Sequence, residues 1–348
     1  MTPTPGVPDV LARARRATTP AMEAAVERLS PDIQRLASYH LGWTDAEGRP
    51  SGAPGGKGIR PALALLSAEA AWADASVGVP GGVAVELVHN FSLIHDDIID
   101  EDRERHHRPT VWSVFGVGPA IIVGDALETL AHQVLLEASS TTGAAASAEL
   151  ADATASMIAG QADDIAFEKR RGVSVEECMA MCANKTGALL GCAASVGAVL
   201  AGAPPATVGA LRDFGRHLGL AFQAVDDLLG IWGDPARTGK PAGNDLRQRK
   251  KSMPIVSALA AGGEEADELR ALLLGEADTD PATLGPLDPD AIERATYLVE
   301  ACGGREWTAV RAKSHLDSAL GALERVRLSA VPHRELADIA VFVVEREA

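Results

Sequence analysis

Two pairs of adjacent aspartates, each closing a long apolar stretch, constrain this chain more than any other feature. Asp96-Asp97-Ile98-Ile99-Asp100 follows the apolar run Phe91 to Ile94, and Asp226-Asp227-Leu228-Leu229-Gly230 follows Ala221 to Val225. A carboxylate on an apolar helix costs several kcal/mol unless something positive meets it. Two such clusters in one chain imply a shared cation, and carboxylate oxygens with few histidine or cysteine partners favour magnesium over zinc. On a helix, residues i and i+4 share a face, so Asp96 and Asp100 point the same way and Asp226 can close the site from a facing helix. Asp97 is turned away by about 100° and can serve another ion or support the first. Surface acids at a solvated helix end are the bland alternative, and the apolar runs leave them little room.

The fold class follows from what surrounds the aspartates. Hydrophobic residues make up 47% of the 348-residue chain but aromatics only 4%, with alanine, leucine and valine dominant, a mixture that favours packed helices over sheets. Alternating strands do not recur. The spacing predicts helices over 22–41, 61–74, 82–102, 111–139, 147–169, 174–202, 206–232, 252–261 and from 291 onwards. A Gly/Pro-rich loop is expected over 45–58 and a partly looped acidic segment over 262–290. Residues 1–20, rich in Pro, Thr and Ala, read as a loose N-terminal arm, and 21–348 as one all-α domain.

Composition also excludes. A formal net charge of −16 argues against nucleic acid as a partner. No continuous apolar h-region opens the chain, and no apolar run of about 18 residues lacks an interrupting charge. A cytoplasmic protein with no membrane span is expected. Cys178, Cys182, Cys192 and Cys302 read as reduced thiols, since no second pair completes a zinc site.

Basic residues gather near the acids. Lys57 and Arg60 follow Gly55-Gly56 near an expected helix start, an arrangement suited to an anion. Arg105 and Arg108 follow the first cluster, Lys185-Thr186 sits in an apolar helix, and Lys240, Lys250 and Lys251 follow the second cluster. Each alone is more often a solvated surface charge. Together, beside metal-binding carboxylates, they suggest a polyanion bridged by magnesium, and diphosphate fits. His89 lies two turns before the first cluster and either bonds a phosphate or is a satisfied buried histidine. The spacing of His95, His106 and His107 fits no zinc pattern.

These residues fall into an order that resembles the trans-isoprenyl diphosphate synthases, or polyprenyl synthetases, the family of farnesyl and geranylgeranyl diphosphate synthases. The resemblance runs from about Gly55 to Pro254. It is carried by GGKGIRP at 55–61, HNFSLIHDDIID at 89–100, RHHRPT at 105–110, GQADD at 160–164, NKTG at 184–187, FQAVDDLLG at 222–230 and GKPAGNDLRQRKKSMP at 239–254. It implies an all-α helical bundle of the isoprenoid synthase type around a central cavity, and a homodimer. It implies an allylic diphosphate held by magnesium, three ions when substrate is bound, on Asp96, Asp100 and Asp226, with Asp97 and Asp227 supporting. Arg105, Lys185, Thr186, Gln223, Lys240 and Lys250 would grip that diphosphate. Isopentenyl diphosphate would lie on Lys57, Arg60 and His89, and its double bond would attack the allylic cation before a proton is lost.

Three positions depart from the family pattern. His106 stands where a second arginine is usual and normally helps bind isopentenyl diphosphate, leaving Arg108 to compensate. The second aspartate motif ends in Gly230, and Gly58 replaces a frequent basic residue. The resemblance also places the floor of the growing-chain cavity at Phe91 and Ser92, which implies a product of fifteen to twenty carbons, with twenty slightly preferred. Two rival readings are a terpene cyclase of the same fold and a non-catalytic partner subunit of another synthase. Asn244-Asp245 begins a cyclase-like triad but lacks its glutamate.

Overall fold

The computed structural model describes residues 6–51, 58–105, 107–234, 242–275 and 283–345. It is 77% helical with almost no strand, as the alanine- and leucine-rich composition predicts. In chain order the helices are α1 (Val7–Val26), α2 (Pro31–His40), α3 (Ile59–Ala70), α4 (Val79–Ile99), α5 (Val111–Phe115), α6 (Val117–Ala138), α7 (Gly143–Glu168) and α8 (Val175–Cys182). They continue with α9 (Ala188–Leu200), α10 (Pro205–Trp232), α11 (Asn244–Arg247), α12 (Met253–Ala260), α13 (Glu264–Leu274), α14 (Pro289–Ala301), α15 (Gly304–Leu323) and α16 (Ala330–Glu345). A π-helical turn, Ala183–Gly187, joins α8 to α9. A short antiparallel hairpin pairs β1 (Glu104–Arg105) with β2 (Arg108–Pro109).

The chain divides into two compact units that interleave in sequence, so no single linker separates them. The first comprises Met1–Thr154, Leu189–Asp213 and Ala322–Ile339, the second Ala155–Ala188, Phe214–Gly321 and Ala340–Ala348. In the first unit α4 packs on α3 and α6, burying Leu63, Leu66, Leu87, Ile94, Leu127 and Leu130. Each such side chain contributes about 1.5–3 kcal/mol when fully buried. In the second unit α12, α13 and α14 share a core of Ile255, Leu269, Leu273 and Leu298. A neighbouring cluster there joins Phe167, Met181, Ala224 and Met253.

Local chemistry sets the helix ends. Ser174 and Glu177 form a reciprocal capping box at the start of α8, Ser174 Oγ accepting from the Glu177 N–H at 3.2 Å and Glu177 Oε2 from the Ser174 N–H at 2.8 Å. Asp288 caps α14 through the Ala291 N–H, with Pro289 at the first helical position. Gly116, at φ 94°, splits the helix expected over 111–139 into α5 and α6.

The largest difference from expectation is at the amino end. Residues 7–20 are not a loose arm but most of α1, anchored by Val10, Leu11, Ala14, Thr18 and Met22 at helical spacing. Pro20 sits inside this helix. Two helical stretches, Ala75–Ile99 and Val117–Ala138, are long and apolar enough to cross a membrane by length and composition. The first is largely buried in the protein and carries Glu86, His89, Asp96 and Asp97. All four cysteines are free thiols.

Candidate active site

The expected site residues are divided between the two units, and each set has its own geometry. In the first, α4 carries Asp96 and Asp97 on its last turn, and Asp100 is its C-cap, donating its N–H to the Asp96 carbonyl at 2.8 Å. Asp96 is half-buried and Asp100 exposed, whereas Asp97 is only 1% exposed. Asp97 has its own cation, because Arg105 Nε donates to Oδ1 at 2.7 Å. Burial dominates nonetheless and, with smaller help from Asp102 and Asp96, pushes the Asp97 carboxyl up to about 6 against the pull of Arg105.

The hairpin that presents Arg105 is tied down on both sides. The Asp102 carbonyl accepts from Thr110 Oγ1 at 2.9 Å and Trp112 Nε1 at 2.8 Å. Arg108 reaches the other way: its Nη2 donates to the carbonyls of Tyr39 at 3.2 Å and Thr44 at 3.1 Å, and its guanidinium lies over the Tyr39 ring. Arg108 therefore braces the hairpin against the α2 segment while still lining the cavity beside it. His106 and Lys57 lie outside the described residues.

Arg60 and Glu86 form a buried, oppositely charged pair. Burial lowers the Arg60 guanidinium while Glu86 raises it, and burial raises Glu86 while Arg60, Asn90 and Arg15 oppose that. Arg60 Nε is buried and has no hydrogen-bond partner among the described residues. Beside this pair the first unit holds a cavity of about 300 Å³, lined by His89, Asp97, Arg105, Arg108, Tyr39 and Arg15 among others. His89 and Arg105 are thus brought to one space, and Glu86, the electrostatic partner of Arg60, lines it too.

Below Asp97 on α4 comes the expected length-setting region. The Phe91 ring is buried and meets His95 edge-on, ring centroids 4.8 Å apart. His95 Nε2 lies 3.2 Å from the Ile121 carbonyl of α6. Ser92 Oγ donates back to the His89 carbonyl at 2.8 Å.

In the second unit Lys185 and Thr186 sit on the π-helical turn, a feature common at functional sites because it turns side chains out of register with the flanking helices. Gly160 of α7 lets this turn approach closely: a Cβ there would lie 2.8 Å from Lys185 Cα and 2.9 Å from Lys185 Cβ. Lys185 Nζ donates to Asp164 Oδ2 at 2.6 Å. Thr186 Oγ1 donates to Gln223 Oε1 at 2.7 Å, and Gln223 Nε2 donates to Asp227 Oδ1, also at 2.7 Å. The Met253 N–H completes the chain at Asp227 Oδ2, 2.8 Å away.

Asp227 is 5% exposed, while Asp226 faces outwards. Burial, then the Asp245 charge, pushes Asp227 up to about 8, with Asp226 adding to the rise and the Met253 and Gln223 donors opposing it. The glycine at 230 now has a reason. A Cβ there would meet the Asp245 carboxylate, with Oδ1 at 2.8 Å, so the missing side chain makes room for an acid from α11. Lys250 is exposed, whereas Lys251 is buried, its amine lowered to about 8 by desolvation and by Arg249 and Arg171. Lys240 lies outside the described residues.

Asp164 is the residue that sequence reasoning missed. Its motif was visible at 160–164, but its partner lies 21 residues on, and only the close α7 approach at Gly160 joins them.

Comparison with known proteins decides the family. The polyprenyl synthetase profile matches residues 50–284. The chain belongs to the polyprenyl synthetase family. A (2E,6E)-farnesyl diphosphate synthase of Mycobacterium tuberculosis is 45% identical over 339 residues, covering 97% of this chain and 93% of its own. A geranylgeranyl diphosphate synthase of the same organism is 41% identical with the same coverage. The crystal structure of a polyprenyl synthetase from Streptomyces coelicolor A3(2) superposes with a TM-score of 0.91 at 52% identity, covering 97% of this chain and 99% of the other. The activity follows the family: this polyprenyl synthetase is a trans-prenyltransferase.

Proposed function

We propose that the enzyme condenses isopentenyl diphosphate with an allylic diphosphate and stops at a short trans-polyprenyl diphosphate, with the fifteen-carbon product favoured in place of the twenty-carbon one expected from the sequence. The observation that carries this reading is the unequal treatment of each aspartate pair. The second member is buried and held by protein donors, Asp97 by Arg105 and Asp227 by Gln223 and Met253. The first is more accessible, Asp96 half-buried and Asp226 exposed. Buried acids so engaged are poor direct ligands, and the outward ones are good ligands for a hard cation.

Magnesium, which the family uses for catalysis, would be held by Asp96, Asp100 and Asp226, in three ions when substrate is present. Among the described residues no group of three or more His, Cys, Asp or Glu is placed to hold a metal by itself, so substrate oxygens would complete the coordination. When bound, the metal supplies positive charge that eases departure of diphosphate from the allylic carbon. Lys185, held by Asp164, and Thr186, held by Gln223, would position that diphosphate, with Lys240 and Lys250 adding charge. Isopentenyl diphosphate would occupy the first unit's cavity beside His89 and Arg105, with Lys57 and Arg60 adding positive charge. Its double bond attacks the allylic C1 as the C–O bond breaks, and a proton then passes to the released diphosphate.

The fifteen-carbon preference is supported by Phe91, a buried ring braced by His95, and by the 45% identity to a farnesyl synthase. Homodimerisation is supported by α6, where Val117, Ile121, Ile122 and Leu136 leave an exposed apolar face at helical spacing. Charged substitution of Ile121 and Ile122 would then halve the mass measured by light scattering. Free thiols and water-borne diphosphate substrates support a cytoplasmic location.

The direct test is incubation with magnesium, radiolabelled isopentenyl diphosphate and allylic primers of increasing length. Longer diphosphates are expected. Hydrocarbon products would make it a cyclase, and no turnover would make it a partner subunit of another synthase.

A further inference from the structure

One face of α1 forms a wall of the first unit's cavity. Arg15, Thr18, Thr19 and Met22 all line it, and their i, i+3, i+4, i+7 spacing is that of a single helical stripe. Arg15 is the cation of this stripe. Its side chain lies directly over Gly58, whose backbone is left-handed at φ 73°: a Cβ at position 58 would come within 3.0 Å of Arg15 Cγ and 3.1 Å of Nε. The bare glycine thus leaves the volume that Arg15 fills.

The other charges around the cavity are committed. Arg105 is paired with Asp97 and Arg108 with two backbone carbonyls. Glu86, which also lines the cavity, is attracted by Arg60. Arg15 also acts on Glu86, more weakly than Arg60 does, but makes no side-chain hydrogen bond among the described residues. None of its guanidinium donors is engaged by a side chain or carbonyl among the described residues, beside a cavity that, on the reading above, takes a diphosphate.

We infer that Arg15 binds the diphosphate of the homoallylic substrate, supplying from α1 a cation that position 58, a glycine, does not. The inference rests on the proposed condensation and adds a residue to it.

The test is steady-state kinetics of Arg15→Gln and Arg15→Lys in the full-length enzyme, varying isopentenyl diphosphate and the allylic primer separately. A lost charge-assisted hydrogen bond corresponds to about a ten-fold or greater change. The KM for isopentenyl diphosphate should therefore rise by that much in Arg15→Gln, the KM for the primer should stay within about two-fold, and Arg15→Lys should recover part of the loss. An unchanged isopentenyl KM overturns the inference, as does an equal rise in both KM values, which would mark a structural role. Should Arg15→Gln fail to fold, Arg15→Lys decides alone: a lysine cannot reproduce the planar fork, so an isopentenyl KM equal to wild type refutes diphosphate binding and a selective rise supports it. Wild-type enzyme that leaves isopentenyl diphosphate unconsumed would overturn the condensation itself, a result distinguishable from failure of the Arg15 assignment alone.

Discussion

Lys185 Nζ and Asp164 Oδ2 lie 2.6 Å apart, joining the π-helical turn to α7. A lysine on a flexible four-carbon stem needs such an anchor to hold its charge where a leaving group departs. Asp164→Asn keeps the shape and removes the charge. It should lower kcat by roughly 10- to 100-fold, since a misplacement of about 1 Å can cost that much. Thermal melting of the variant, measured alongside, should move little because both side chains are partly exposed.

Gly160→Ala tests the same junction from the backbone. The added methyl would meet Lys185 N, Cα and Cβ, so the turn must shift. Overpacking of this kind costs about 1–3 kcal/mol, to be read as a lower urea midpoint. Activity should fall together with stability, in contrast to Asp164→Asn.

The buried second aspartates predict how the metal-free protein responds to pH. Asp227 titrates at about 8 when folded, against 3.8 for a free aspartate. Between those values the folded chain holds a proton that the unfolded chain has released, so raising the pH favours unfolding. Its contribution is fully present below about pH 4 and is lost as pH rises through about 8. Asp97, at about 6, adds a slope of the same sign over a narrower window. Asp227→Asn should flatten the fall in urea midpoint between pH 5 and 8 without magnesium, and an unchanged slope would count against a buried neutral Asp227.

Phe91→Ala should lengthen the product by at least one isoprene unit, as measured by chromatography of the dephosphorylated alcohols. Loss of a buried ring also costs about 3–5 kcal/mol. Phe91→Leu, which keeps most of the volume, should shift the profile less. His95→Ala removes the edge contact and should broaden the profile in the same direction. An unchanged profile in Phe91→Ala would move the floor elsewhere.

Most helices were legible because apolar periodicity survives without tertiary context, as α4 and α10 illustrate. The failures have separate causes. Gly116 lies inside the helix expected over 111–139, yet its φ of 94° breaks that helix. α1 was hidden by its prolines, although the buried series Val10, Ala14, Thr18 and Met22 carries the helical period.

The π-helical turn has no compositional signature, so the exact aim of Lys185 and Thr186 was beyond the sequence. Among the site residues, the aspartate pairs could be read from their apolar flanks. Which member of each pair is buried depends on Arg105 and the Met253 N–H arriving from other elements. Lys250 and Lys251 are adjacent, and only the fold separates the exposed one from the buried one.

The position of α1 bears on how the enzyme is handled. A Pro/Thr/Ala-rich amino end invites trimming before crystallisation or assay, on the view that it is dispensable. Deleting the first twenty residues would strip the pocket of Arg15, Thr18 and Thr19 while sparing every signature motif, and the shortened protein would look intact by homology yet have lost one wall of that cavity.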